Sequence, residues 1–186
     1  MTLRRRTCLA ALALAPAFGA RAHNDAGRVQ PPLPAPPLAL TLQDGRRSTL
    51  PRLLAGRATA LQLMFTGCSA TCPIQGALFG AAQQRLTPGG PAQLVSVSID
   101  PLGDDPKAMR AWLAQHGAGP RWSGATPAVQ DLDRWFDFLR ARSAGTDRHT
   151  AQVYFFNRRG ELALRSVDFP PAGEVVRLLT ALAEAG

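Results

Sequence analysis

Apolar residues fall along this chain in two rhythms, and each predicts a kind of element. Residues 58–65 (Ala-Thr-Ala-Leu-Gln-Leu-Met-Phe) are mostly apolar and carry no charge, the signature of a central strand buried on both faces. Residues 93–99 (Gln-Leu-Val-Ser-Val-Ser-Ile) alternate and are β-branched, which predicts a second strand. Residues 151–156 and 161–167 read as two more, joined by Asn157-Arg158-Arg159-Gly160 as a hairpin turn. Near the start, 38–42 and 48–50 flank Asp44-Gly45 and predict an N-terminal β-hairpin. A short strand is expected over 121–126. Helical spacing covers 73–85, 105–116, 127–142 and 174–185. The third of these carries a core stripe of Leu132, Trp135, Phe136 and Leu139. Proline and glycine punctuate the joints at 87–91 and 117–120.

This order predicts an α/β fold, a central mixed sheet flanked by helices, with its last two strands antiparallel. Cys68 and Cys72 lie where the first central strand hands over to its helix. That is the thioredoxin-like arrangement, a site at the carboxyl end of a strand and the amino end of a helix. The helix end favours thiolate through its unpaired N–H groups.

Ahead of the folded part, Arg4-Arg5-Arg6, an apolar run over 8–18 and Ala20-Arg21-Ala22 read as an export signal of residues 1–22, cleaved or kept as an anchor. Residues 23–37 follow as a proline-rich extended linker, and 38–186 as the domain. The expected location is periplasmic or otherwise extracytoplasmic, with membrane contact only if the N-terminal segment is retained.

The formal charge is +8, and Lys107 is the only lysine. The arginines are scattered along the sequence, with no basic helix face and no interleaved aromatics. They read as a solvated surface and give no support to a nucleic-acid partner.

Cys8 lies within the export segment, so the domain holds two cysteines only, four positions apart. A loop so short gains little from closure by a disulfide. Redox chemistry or a metal is the better use of the pair. Two thiolates suit a soft ion, above all Cu(I). Two ligands leave such an ion open to competitors, so a third is expected. His149 is the candidate, since it sits just before strand 151–156, where the entering loop of a thioredoxin-like sheet passes over the cysteines. Thiol-exchange enzymes of that fold carry a cis-proline there, whereas this chain has no proline between Pro127 and Pro170. Asp147 or a backbone carbonyl would orient the second ring nitrogen. His116 reads as a cation at a helix end. His23 would open the mature chain.

In Phe65-Thr66-Gly67-Cys68, Cys72-Pro73, Val97-Ser98-Ile99-Asp100-Pro101, Asp104-Asp105-Pro106 and His149-Thr150-Ala151, the chain resembles the Sco/SenC family over nearly the whole domain. The resemblance implies copper, Cu(I) or Cu(II), held by Cys68, Cys72 and His149. It further implies delivery to an apo-cuproprotein such as a cytochrome c oxidase subunit, after loading by an upstream copper donor. Some family members instead reduce disulfides in partner proteins. The chain departs from the family pattern at two places. Ser69-Ala70 stands where Pro-Asp is usual, and Gly103 where an arginine is usual.

Three functions compete. The first is copper carriage by ligand exchange, with nothing turned over. The second is thiol–disulfide exchange, with Cys68 attacking and Cys72 resolving. The third, a peroxidase, lacks an arginine in the cysteine loop.

Overall fold

The computed structural model describes residues 26–143 and 149–185. The export segment, His23, Asp147 and Arg148 lie outside those residues. Eight strands form one sheet: β1 (Gly27–Pro34), β2 (Ala39–Leu42), β3 (Arg47–Thr49), β4 (Ala58–Met64), β5 (Ala92–Ser98), β6 (Trp122–Pro127), β7 (Gln152–Phe156) and β8 (Glu161–Asp168). Their spatial order is β1-β8-β7-β4-β5-β6-β2-β3. The helices are α1 (Leu50–Leu54), α2 (Thr71–Gln83), α3 (Pro106–Gln115), α4 (Leu132–Leu139) and α5 (Ala172–Glu184). No helix among the described residues is long and apolar enough to cross a membrane.

The uncharged run behaves as its composition demands. Every residue of β4 is buried, and β4 pairs parallel to β5 and antiparallel to β7. Alternation along these strands feeds two cores. Leu61, Leu63, Val95, Val97, Tyr154 and Phe156 meet α1 and α4 on one face. Ala60, Met64, Leu94, Val153 and Phe155 meet α2, α3 and α5 on the other. Polar residues within the strands pair with one another. Gln62 Nε2 and Trp122 Nε1 both donate to Ser96 Oγ at 2.9 Å, and Gln93 Nε2 reaches Thr59 Oγ1 at 2.9 Å.

The structure departs from the sequence reading in three places. The hairpin's second strand ends at Thr49, and Leu50–Leu54, with Pro51 in its first turn, forms the unforeseen helix α1. The proline-rich segment is extended as read, but Gly27–Pro34 lies along β8 as an antiparallel edge strand. Proline lacks an N–H and is tolerated at an edge, where one row of backbone groups needs no partner. The third helix is shorter than 127–142. Pro127 ends β6 opposite Leu40, and a single 3-10 turn over Val129–Asp131 precedes α4. Arg140 closes α4 in a left-handed conformation, φ 55°.

Candidate metal centre

β4 ends at Met64, and the chain turns sharply so that Cys68 N donates to Phe65 O at 3.1 Å. The turn is held from beneath by Asp104, which is buried at 4% exposure. Its carboxylate accepts from Thr66 N at 3.1 Å, from Thr66 Oγ1 at 2.5 Å and from Ser98 Oγ at 2.6 Å. Its backbone oxygen accepts from Thr126 Oγ1 at 3.2 Å. One residue therefore ties the ends of β4, β5 and β6 to the cysteine loop. The sequence marks Asp104 only as part of a motif; this fastening needs the three strand ends brought together.

Its neighbours fix the same corner. Asp105 caps α3 by accepting from Ala108 N at 2.7 Å. At Gly103 a Cβ would stand 2.5 Å from Asp100 Oδ2.

Helix α2 begins without a side-chain cap, since its N-cap residue is Ala70. Cys68 Sγ fills that role, accepting from Cys72 N at 3.4 Å with Thr71 Oγ1 3.7 Å away. Both cysteines are free thiols. Cys68 is half-buried and Cys72 is fully buried. Burial pushes the Cys68 thiol up, but hydrogen bonds from the Cys72 thiol, from backbone N–H groups of Cys72 and Ala70, and from Thr71 outweigh it and bring it down to about 7. Burial, then the donation to Cys68, pushes Cys72 up to about 12. One thiol is thus half ionised near neutrality, and the other keeps its proton.

His149 is buried at 6% exposure. Its Nδ1 lies 2.7 Å from Thr150 O. A carbonyl only accepts, so Nδ1 carries a hydrogen and donates to it. A backbone carbonyl thus orients this ring nitrogen, and Asp147, the other group the sequence offers, lies outside the described residues. Thr150 is itself pinned, its N donating to Ala141 O at 3.1 Å and its hydroxyl lying 2.8 Å from Tyr154 OH.

The sheet brings the three residues to one end. Val153, four residues after His149, pairs with Gln62, six residues before Cys68, across β7 and β4. Yet no three His, Cys, Asp or Glu side chains among the described residues gather closely enough to hold a metal ion. Cys68 and Cys72 form a pair, and His149 stands at the same end of the sheet outside it.

His116 plays a different part from the one its sequence position suggests. Its ring packs on Trp112 at 4.5 Å between centroids. It fills the space over Gly76, where a Cβ would lie 2.5 Å away. Burial lowers its pKa, which disfavours the helix-end cation, and the ring serves as a packing group. α2 also buries Gln75, whose two amide atoms find no partner among the described residues.

The family profile described as SCO1/SenC matches residues 30–183. No curated protein matches the sequence. Among solved structures, the chain is similar to yeast Sco1 with copper bound, at 18% identity, TM-score 0.69, covering 83% of this chain and 91% of that one. It is similar to Arabidopsis thaliana ScoI with copper bound, at 19% identity, TM-score 0.68, covering 82% and 99%. It is also similar to BsSco, described as a member of the Sco family of cytochrome c oxidase assembly proteins with a disulfide switch, at 20% identity, TM-score 0.70, covering 88% and 98%. At these identities the likeness establishes the thioredoxin-like fold.

Proposed function

The chain belongs to the SCO1/SenC family, and from that premise we propose that it is an extracytoplasmic copper carrier that holds one ion between Cys68, Cys72 and His149. The observation that carries this reading is the reduced cysteine pair at the mouth of α2, with the Cys68 thiol at about 7. A thiolate available at neutral pH can take a soft ion without first being deprotonated. Cys72 must surrender its proton on binding, so loading releases acid. The Nδ1 contact of His149 leaves Nε2 as the metal-facing atom, and the ion supplies the attraction that draws imidazole and sulfurs together.

Copper would leave by ligand exchange to an apo-cuproprotein, with a cytochrome c oxidase subunit the recipient that the family suggests. Copper-bound relatives of the same fold support the cargo. The test is metal analysis of the reduced full chain beside Cys68→Ser, Cys72→Ser and His149→Ala. One copper per chain is expected, lost in either serine variant and more easily removed by a chelator from His149→Ala. Retention in His149→Ala equal to the parent would remove the third ligand from the proposal.

A second reading, thiol–disulfide exchange with partner proteins, is favoured by the split between the two thiols. The ionised, half-buried Cys68 is placed to attack and the protonated, buried Cys72 to resolve. Reductase activity on a protein disulfide that survives His149→Ala, with no copper retained by the parent, would select it.

A further inference from the structure

Arginines that are scattered in sequence gather in the fold. At the end of the sheet where β4 begins, Arg46, Arg52, Arg57 and Arg121 line a cleft of about 360 Å³. Arg57 and Arg121 also border an adjoining cleft of about 480 Å³ formed by the 88–90 and 119–121 turns. Neither cleft has a carboxylate in its lining. The row continues to Arg158, whose carbonyl accepts from Gly56 N at 3.0 Å.

Few of these charges are neutralised. Arg46 pairs with Asp44 at 2.6 Å. Arg121 spends its guanidinium on two carbonyls, Thr87 O and Leu86 O, which anchors its charge without cancelling it. Arg52 and Arg57 are exposed, and no carboxylate among the described residues pairs with them. Like charges held this closely repel, and an external polyanion relieves that repulsion.

We propose that this arginine-lined end of the sheet is a docking face for an anionic membrane surface, its guanidinium groups taking lipid phosphates. Guanidinium binds phosphate through paired N–H donors. The charges spread over two clefts and a neighbouring turn, which suits a broad lattice of headgroups better than a single small anion. Nucleic acid fits less well, because stacking platforms are missing. The exposed large apolar residues among those described include one aromatic, Phe169, and it sits by Ala151 at the other end of the sheet.

Docking this way has a geometric consequence. β4 spans the seven residues from Ala58 to Met64, about 23 Å, so the cysteines face away from the bilayer. β1 starts with Gly27 opposite Arg165 and runs down to Pro34 opposite Glu161, so the start of β1 lies on the half of that edge farther from this face. The inference does not depend on copper.

The test is flotation of the full chain with vesicles of phosphatidylcholine, with and without phosphatidylglycerol. Arg46→Gln/Arg52→Gln/Arg57→Gln is compared with a control triple at Arg4, Arg5 and Arg6. Phosphatidylglycerol is expected to raise binding of the parent and of the control. The cleft triple should lose about 100-fold of that gain, at about fivefold per arginine near the surface. Circular dichroism and the Cys68 alkylation midpoint report folding. If the triple is unfolded, single Arg52→Gln and Arg57→Gln variants each carry a fivefold expectation. Three results would overturn the inference: a gain that follows Arg4–Arg6 alone, competition by inorganic phosphate at concentrations that do no more than match the lipid phosphate present, or tighter binding to duplex DNA than to the vesicles.

Discussion

Replacing Asp104 tests whether one buried carboxylate holds the cysteine loop. It satisfies three donors: Thr66 N, Thr66 Oγ1 and Ser98 Oγ. Asp104→Ala orphans all three. A buried donor left unsatisfied costs about 1–3 kcal/mol. Thr66 is only half-buried, so water can reach it, and the low end applies. The expected loss is about 3 kcal/mol. Asp104→Asn should cost less. Its amide oxygen can still accept from Thr66, while its NH₂ meets Ser98 Oγ, which already accepts from Asp100 N at 2.9 Å. The Ser98 hydroxyl hydrogen then lacks an acceptor, at about 1 kcal/mol. Urea unfolding of the reduced chain, followed by fluorescence of the buried Trp112, Trp122 and Trp135, gives both values. A second readout is local: with the turn freed in Asp104→Ala, the Cys68 alkylation midpoint should rise from about 7. An alanine variant within about 0.5 kcal/mol of the parent, with that midpoint unmoved, would refute the assigned role.

Three further outcomes follow from the same corner of the molecule. Alkylation of Cys68 should rise through a midpoint near pH 7 while Cys72 stays silent; at pH 7 about half of Cys68 is thiolate, some fifty times the share of an ordinary thiol, and after the roughly tenfold lower nucleophilicity of a weaker base the net gain is about fivefold. A midpoint near 9 in mass-spectrometric time courses would contradict the hydrogen bonding described at Cys68. Ala70→Asp supplies the cap that α2 lacks and sets a negative charge beside Cys68, so it should raise that midpoint while raising the melting temperature; a fall in the midpoint would count against Cys68 Sγ as the surrogate cap. Gln75→Met removes two buried unpartnered polar atoms and should stabilise the chain by about 1–2 kcal/mol in urea; a loss of stability would mean that the amide has partners after all.

Much of this architecture is written locally. The uncharged run of β4, the alternation of β5 and the Asp105-Pro106 start of α3 are short-range patterns, and burial plus backbone hydrogen bonding leaves each few alternatives. The cysteine pair is legible for the same reason, because both residues sit in one turn. Other features depend on residues far apart in the chain. No local rule makes Asp104 the fastening of three strand ends, packs His116 over Gly76, or turns a proline-rich segment into an edge strand along β8. His149 lies between the two cases: sequence order puts it at the right end of the sheet, but its carbonyl partner and its distance from the sulfurs are set by packing. The basic face is the extreme instance. Arg46, Arg52, Arg57 and Arg121 are unremarkable in sequence and form one charged surface once strand order fixes which turns are neighbours, because electrostatic interaction depends on distance through space and not on separation along the chain.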